Sequence, residues 1–199
     1  MKIGILISGR GSNMAAIIEA VLSGRIPDCE VAVVISDKTE AQGLQKAQMR
    51  GIKTVIVEKK GRKRAEHDAE ILAELKKHDV ELVCLAGYMR LLSKEFVQVF
   101  PNWILNVHPS LLPGFKGLDA QRQAIDYGVK ISGCTVHFVD ENLDHGAIIA
   151  QKAVEVLETD TAETLAARIL KHEHALYVES IARIAAGKIE IRGRRVIRN

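Results

Sequence analysis

The chain has 199 residues, 47% of them hydrophobic and 27% charged, which is the size of one domain and excludes a disordered or low-complexity protein. Its net charge of +3 is local: Lys59 to Arg64 carries five basic residues, Lys188 to Asn199 five basic and one acidic, and the remainder 18 basic against 24 acidic. A net acidic body with two basic islands is not the profile of a general nucleic-acid binder, whose basic face dominates the domain.

Read in chain order, Ile3 to Ser8, Val31 to Ser36, Thr54 to Val57, Leu82 to Ala86 and Ile104 to Val107 are short Val/Ile/Leu runs without period-two alternation. Such runs predict strands covered on both faces, as in a parallel sheet. Between them Asn13 to Ser23, Ala41 to Arg50, Lys63 to His78 and Lys94 to Phe100 are expected to be helical. Strands alternating with helical crossovers define an α/β class: a doubly wound, mostly parallel sheet with helices on both faces and ligands beyond the strands' C-terminal ends. Beyond these lie a short helix at Gln121 to Tyr127 and strands at Cys134 to Val139 and Ile148 to Val156. A long helix is expected from Thr161 to Ala186, capped by Asp160 or Thr161 and stopped at Gly187. A single domain over 1–199 is expected, with about 188–199 forming a basic hairpin or tail.

The first strand runs through Ser8-Gly9-Arg10-Gly11-Ser12-Asn13 into a helix, an arrangement that presents backbone N–H groups to a phosphate. Met14 stands where a dinucleotide fingerprint needs its third glycine, and no Gly-Lys-Ser/Thr follows, so a phosphomonoester is the better fit. The competing reading is a tight turn with Ser12 or Asn13 as a mere helix cap. At the end of the fifth strand Asn106 and His108 are two residues apart and so share a face. An amide beside an imidazole suits an oxyanion, and a carboxylate from the acidic loop Asp140-Glu141-Asn142-Leu143-Asp144 would keep that imidazole charged if the fold brought it there, which spacing alone does not establish. A hydrogen-bonded structural histidine and a solvated acidic turn are the alternatives. Cys29, Cys84 and Cys134 are widely spaced without a CxxC pair, which argues against a disulfide framework or zinc site and for a reducing cytoplasm. No nucleophile elbow is present, so an attacking atom is expected to come from a substrate.

Gly11-Ser12-Asn13, Ala86-Gly87-Tyr88-Met89-Arg90-Leu91-Leu92, Asn106-Val107-His108-Pro109-Ser110-Leu111-Leu112-Pro113 and Asp144-His145-Gly146, in this order, resemble the phosphoribosylglycinamide formyltransferase family from Met1 to about Gly187. The resemblance implies formyl transfer from 10-formyltetrahydrofolate, a co-substrate, to the amine of glycinamide ribonucleotide in purine biosynthesis, with no metal, nucleic acid or membrane partner. It implies a catalytic group of Asn106, His108 and Asp144, with Gly11, Ser12, Asn13 and Glu173 on the ribonucleotide. It further implies Arg64, Met89, Arg90, Leu91, Leu92, Asn106, Asp140 and Asp144 on the folate, Arg64 meeting the glutamyl carboxylate. Lys116 and Leu170 depart from the family pattern, and Phe115-Lys116-Gly117 looks more like a 10-formyltetrahydrofolate deformylase. His108-Pro109-Ser110 favours the transferase. Neither the deformylase's N-terminal domain, with a first strand starting at Ile3, nor the tRNA-gripping C-terminal domain of methionyl-tRNA formyltransferase is expected, and hydrolysis of 10-formyltetrahydrofolate is the nearest rival reading. A non-enzymatic nucleotide- or nucleic-acid-binding module is the reading from a different class. The sequence leaves monomer and homodimer equally open.

Overall fold

A computed structural model describes residues 1–198. They gather in two compact units, Met1–Leu105 and the residues from Asn106 onward.

The first unit holds β1 (Lys2–Ile7), β2 (Glu30–Ser36), β3 (Thr54–Ile56) and β4 (Leu82–Leu85), with α1 (Ser12–Leu22), α2 (Gln42–Gln48), α3 (Arg64–Lys77) and α4 (Lys94–Val99). The strand order is β3-β2-β1-β4, and β1 pairs in parallel with both β2 and β4. Ile3, Ile5, Leu6 and Ile7 are fully buried on the central strand, which is why no alternation shows in its sequence. Gly4 interrupts that run because a Cβ there would lie 2.6 Å from Leu75 of α3, the helix seated over the strand. The chain leaves β1 for β2 on one side and returns as β4 on the other, so the winding reverses between β1 and β4. Their C-terminal ends flank the crevice where doubly wound sheets bind ligands. Strand β5 (Ile104–His108) begins in this unit, with the Val83 N–H donating to the Trp103 carbonyl (2.9 Å) beside β4.

The second unit holds the end of β5, α5 (Ala120–Tyr127), β6 (Ile131–Phe138), β7 (Ile148–Glu155), α6 (Ala162–Ala185), β8 (Ile189–Arg192) and β9 (Arg195–Arg198), in strand order β5-β6-β7-β9-β8. β6 and β7 are antiparallel, and β9 joins β7 in parallel through Ile148 and Arg195. β6 starts at Ile131, three residues before the sequence-based boundary at Cys134. Gly133 lies within the added stretch: a Cβ there would meet the Lys152 carbonyl oxygen of β7 at 2.0 Å, so the glycine is what lets the ladder close. The basic C-terminus is a hairpin, β8 pairing with β9, rather than a tail.

Thr161, not Asp160, caps α6: its Oγ1 accepts the Thr164 N–H (3.3 Å) while Thr164 Oγ1 accepts the Thr161 N–H (2.9 Å). Asp160 instead takes both arms of the Arg168 guanidinium at 2.7 Å and accepts the Leu157 N–H, which holds its carboxyl below the usual carboxylate range. A depressed carboxyl stabilises the fold above its unfolded pKa, near 4, and loses that contribution as pH falls toward the folded value. Asp160→Asn is therefore expected to lower Tm at pH 7. The gap to wild type should narrow below about pH 3 in parallel melting curves. Among the described residues no helix is long and apolar enough to cross a membrane.

Candidate active site

The first unit builds two neighbouring loops at the β1–β4 crevice. Gly11 is the N-cap of α1 at φ 67°, and neither Ser12 nor Asn13 caps the helix with its side chain, so the reading of them as mere caps is overturned. Close approach shapes the loop. A Cβ on Gly11 would stand 2.7 Å from the Gly43 Cα, and one on Gly43 would stand 2.5 Å from Ile7 Cδ1. Gly43 donates its N–H to the Gly9 carbonyl (3.0 Å), and Lys46 reaches the Arg10 carbonyl (2.7 Å), so α2 braces the loop. Gly43 and Lys46 were not singled out in the sequence, because a glycine within a helix carries no local signal of what it approaches. The segment after β4 lies alongside: Ser8 N–H donates to the Gly87 carbonyl (3.1 Å), and Met89 N–H donates to Ser8 Oγ (2.9 Å). Met89 and Leu91 are exposed apolar side chains, 62% and 50%, flanking Arg90, whose Nε is buried without a protein partner. Exposed apolar groups around a buried cationic donor suit a flat heterocycle with polar edges. Arg64 is exposed at the first residue of α3. In the same basic island Lys60 pairs with Glu58, and Arg62 with Glu70 and the Glu58 carbonyl, so part of that charge is neutralised locally.

The second unit brings Asn106, His108 and Asp144 together. Residues 106 and 108 share a face of β5, as their spacing predicts, and the loop after β6 returns Asp144 to them. His108 Nε2 lies 2.8 Å from the Phe115 carbonyl oxygen, and Nδ1 lies 3.3 Å from Asp144 Oδ2. Both oxygens can only accept, so the imidazolium, with an N–H at each nitrogen, satisfies both contacts. The pair is buried, at 5% and 7% side-chain exposure. Asp144 Oδ2 also accepts the Gly117 N–H (2.8 Å). Phe115 and Asp144 sit at φ 51° and 45°, backbone conformations that side chains seldom adopt; here they aim the carbonyl and the carboxylate at one ring.

His137 on β6 completes this group and was not foreseen. Its Nδ1–H donates to the Phe138 carbonyl (2.7 Å), leaving Nε2 to accept from Asn106 Nδ2 (3.3 Å). Burial, the largest influence, pushes His137 below the ordinary histidine range, which favours this neutral form. The contact fixes which way the Asn106 amide faces and leaves its second N–H as a donor. The readable signal was Thr135 and His137, two polar residues alternating on an otherwise apolar strand. His137→Phe keeps a ring but loses the acceptor. It is expected to lower kcat about tenfold with a smaller change in KM, the worth of one hydrogen bond, in steady-state assays beside wild type.

Asp140 lies on the same loop and accepts from His145 Nδ1 (2.7 Å). Glu173 is buried on α6 toward Cys134 of β6, and burial with Glu173's charge pushes that thiol up to about 12, an inert sulfur. Lys116 is exposed, its carbonyl accepting from Gln123 (3.1 Å), and Leu170 is half-buried on α6. Among the described residues no three His, Cys, Asp or Glu side chains gather as a metal site.

The chain is thus of the doubly wound α/β class, with a glycine-shaped loop after β1 and Asn106 beside a buried His108–Asp144 pair. Comparison with known proteins gives the family. The formyl transferase family model matches residues 1–181. The phosphoribosylglycinamide formyltransferase of Bacillus subtilis (strain 168) is 42% identical, over 92% of this chain and 94% of that one. The trifunctional purine biosynthetic protein adenosine-3 of Homo sapiens is 44% identical over 96% of this chain, which spans only 19% of that protein. The crystal structure of glycinamide ribonucleotide transformylase 1 from Symbiobacterium toebii is 50% identical, covers 100% of this chain and 93% of that one, and superposes with a TM-score of 0.97. The chain belongs to the formyl transferase family and has the α/β fold expected of it.

Proposed function

We propose that this protein transfers the formyl group of 10-formyltetrahydrofolate to the amine of glycinamide ribonucleotide, giving N-formylglycinamide ribonucleotide in purine synthesis. The single observation that carries this reading is the group in which the buried His108, set between Asp144 and the Phe115 carbonyl, stands with Asn106. It offers two donors to an oxyanion and no side-chain nucleophile, so the attacking atom belongs to the substrate.

The amine attacks the formyl carbon, and the carbonyl oxygen becomes an oxyanion. Asn106 Nδ2 and His108 Nε2 donate to it, the charged oxygen displacing the weaker Phe115 carbonyl from His108. As the C–N bond to the folate breaks, His108, or a water it orders, protonates the departing nitrogen. The proton shed by the amine balances the one gained, so none is consumed overall. Gly11, Ser12, Asn13 and Glu173 are assigned to the ribonucleotide. Arg64, Met89, Arg90, Leu91, Leu92, Asn106, Asp140 and Asp144 are assigned to the folate. In this reading residues 1–199 work as one catalytic domain in the cytoplasm, without a metal.

The test mixes the purified full chain with 10-formyltetrahydrofolate, with and without glycinamide ribonucleotide, and follows tetrahydrofolate release. Release that requires the ribonucleotide and matches the formylated product supports transfer. Equal release without it overturns the reading in favour of hydrolysis.

A further inference from the structure

The basic C-terminal island has no part in the chemistry above, yet it touches the loop that carries Asp144. At the turn between β8 and β9 Arg194 reaches His145, the residue after Asp144. Its Nη2 donates to the His145 carbonyl oxygen (2.6 Å), and its Nη1 lies 2.9 Å from Nε2 and 3.3 Å from Nδ1. No single atom meets both distances along the nitrogens' in-plane lone pairs. The guanidinium therefore lies over the imidazole face, a cation against a ring. The ring is held from its other side, Nδ1 donating to Asp140 Oδ2 (2.7 Å). The Asp140 N-terminal to the loop also accepts the Asn142 N–H (2.9 Å). The hairpin is itself anchored where the loop ends, through Ile148 and Arg195. Gly146 admits no substitute for this tight return, since a Cβ would lie 1.9 Å from the Phe138 carbonyl oxygen.

We propose that Arg194 is a positioning residue: it clamps His145 against Asp140 and so holds the 140–145 loop in the shape that keeps Asp144 against His108. Arg194 supplies a fork that spans the His145 carbonyl and ring, on a turn fixed to the sheet. This inference rests on the assignment of Asp144 to catalysis only for its kinetic consequence, not for the contact itself.

The experiment uses the full chain with Arg194→Ala, Arg194→Lys and, as a control on the same hairpin, Arg195→Ala. Amide hydrogen exchange reads the clamp without reference to activity. In Arg194→Ala the amides of Asn142 to Gly146 are expected to exchange about tenfold faster while those of α1 and the centre of α6 are unchanged. kcat for formyl transfer is expected to fall about tenfold, with KM for the ribonucleotide within about twofold of wild type. Lysine keeps the charge but lacks the fork, so Arg194→Lys should recover little, and Arg195→Ala should behave as wild type. Unchanged loop exchange in Arg194→Ala, full rescue by lysine, or an equal loss in Arg195→Ala each overturns the clamp. Faster loop exchange in a protein without formyl transfer would uphold the clamp and sink the functional reading alone.

Discussion

Replacement of His108 by alanine is expected to lower kcat by about 10²- to 10³-fold, or roughly 3–4 kcal/mol of transition-state stabilisation, with KM for either substrate little changed. The reasoning is geometric. His108 is a buried donor whose Nε2–H is parked on the Phe115 carbonyl, and it becomes fully useful only when the formyl oxygen turns anionic. Asp144→Asn tests the electrostatic half of the same arrangement. The amide preserves shape but removes the negative charge facing the ring, so the donor to the oxyanion is weakened and kcat should drop. A kcat equal to wild type would show that the Asp144 charge does not act through His108.

The second large effect is expected at Gly11. Alanine there meets a φ of 67°, which costs a side-chain-bearing residue about 1–2 kcal/mol, and its Cβ would press on the Gly43 Cα at 2.7 Å. Neither backbone has a flexible end to yield, so the loop must open away from α2. Gly11→Ala is expected to raise KM for the ribonucleotide by roughly 10- to 100-fold with a smaller change in kcat, since in the proposed function the loop holds a group remote from the reacting carbon. Gly9→Ala is the contrast: nothing lies within 4 Å of its Cβ position, and binding should stay near wild type. Titration of the ribonucleotide into both variants by calorimetry checks the pair. Equal affinities for the two would refute the close-approach argument.

Most of the candidate site was legible as residue types at fixed spacings. Asn106 and His108 declare a shared face by being two apart, and the glycines after β1 declare a loop by what they lack. Local periodicity also placed the elements to within a few residues, because each buried strand and helix carries its own pattern. Three contributions were not legible, all for one reason. His137 orienting Asn106, Gly43 bracing Gly11 and the Phe115 carbonyl holding His108 depend on partners 31, 32 and 7 residues away. A sequence shows that a strand contains a histidine but not which lone pair faces which amide. The N-cap of α6 was narrowed to two residues; the choice fell to Thr161 because Asp160 is taken by Arg168, about two turns further on.

The charge distribution divides in the same way. By itself the sequence determined that the basic residues are concentrated in two islands on an acidic body, because charge is a sum over residue types and needs no coordinates. It also sets the candidate site residues after strands one, four and five. Only the tertiary structure decided what the islands do. It pairs Lys60 and Arg62 with Glu58 and Glu70, and it turns the C-terminus into a hairpin that sets Arg194 on His145. The physical reason is that an ion pair or a clamp is a property of separation in space. Folding sets that separation by burying apolar faces, and the positions of the charges along the chain follow rather than direct it.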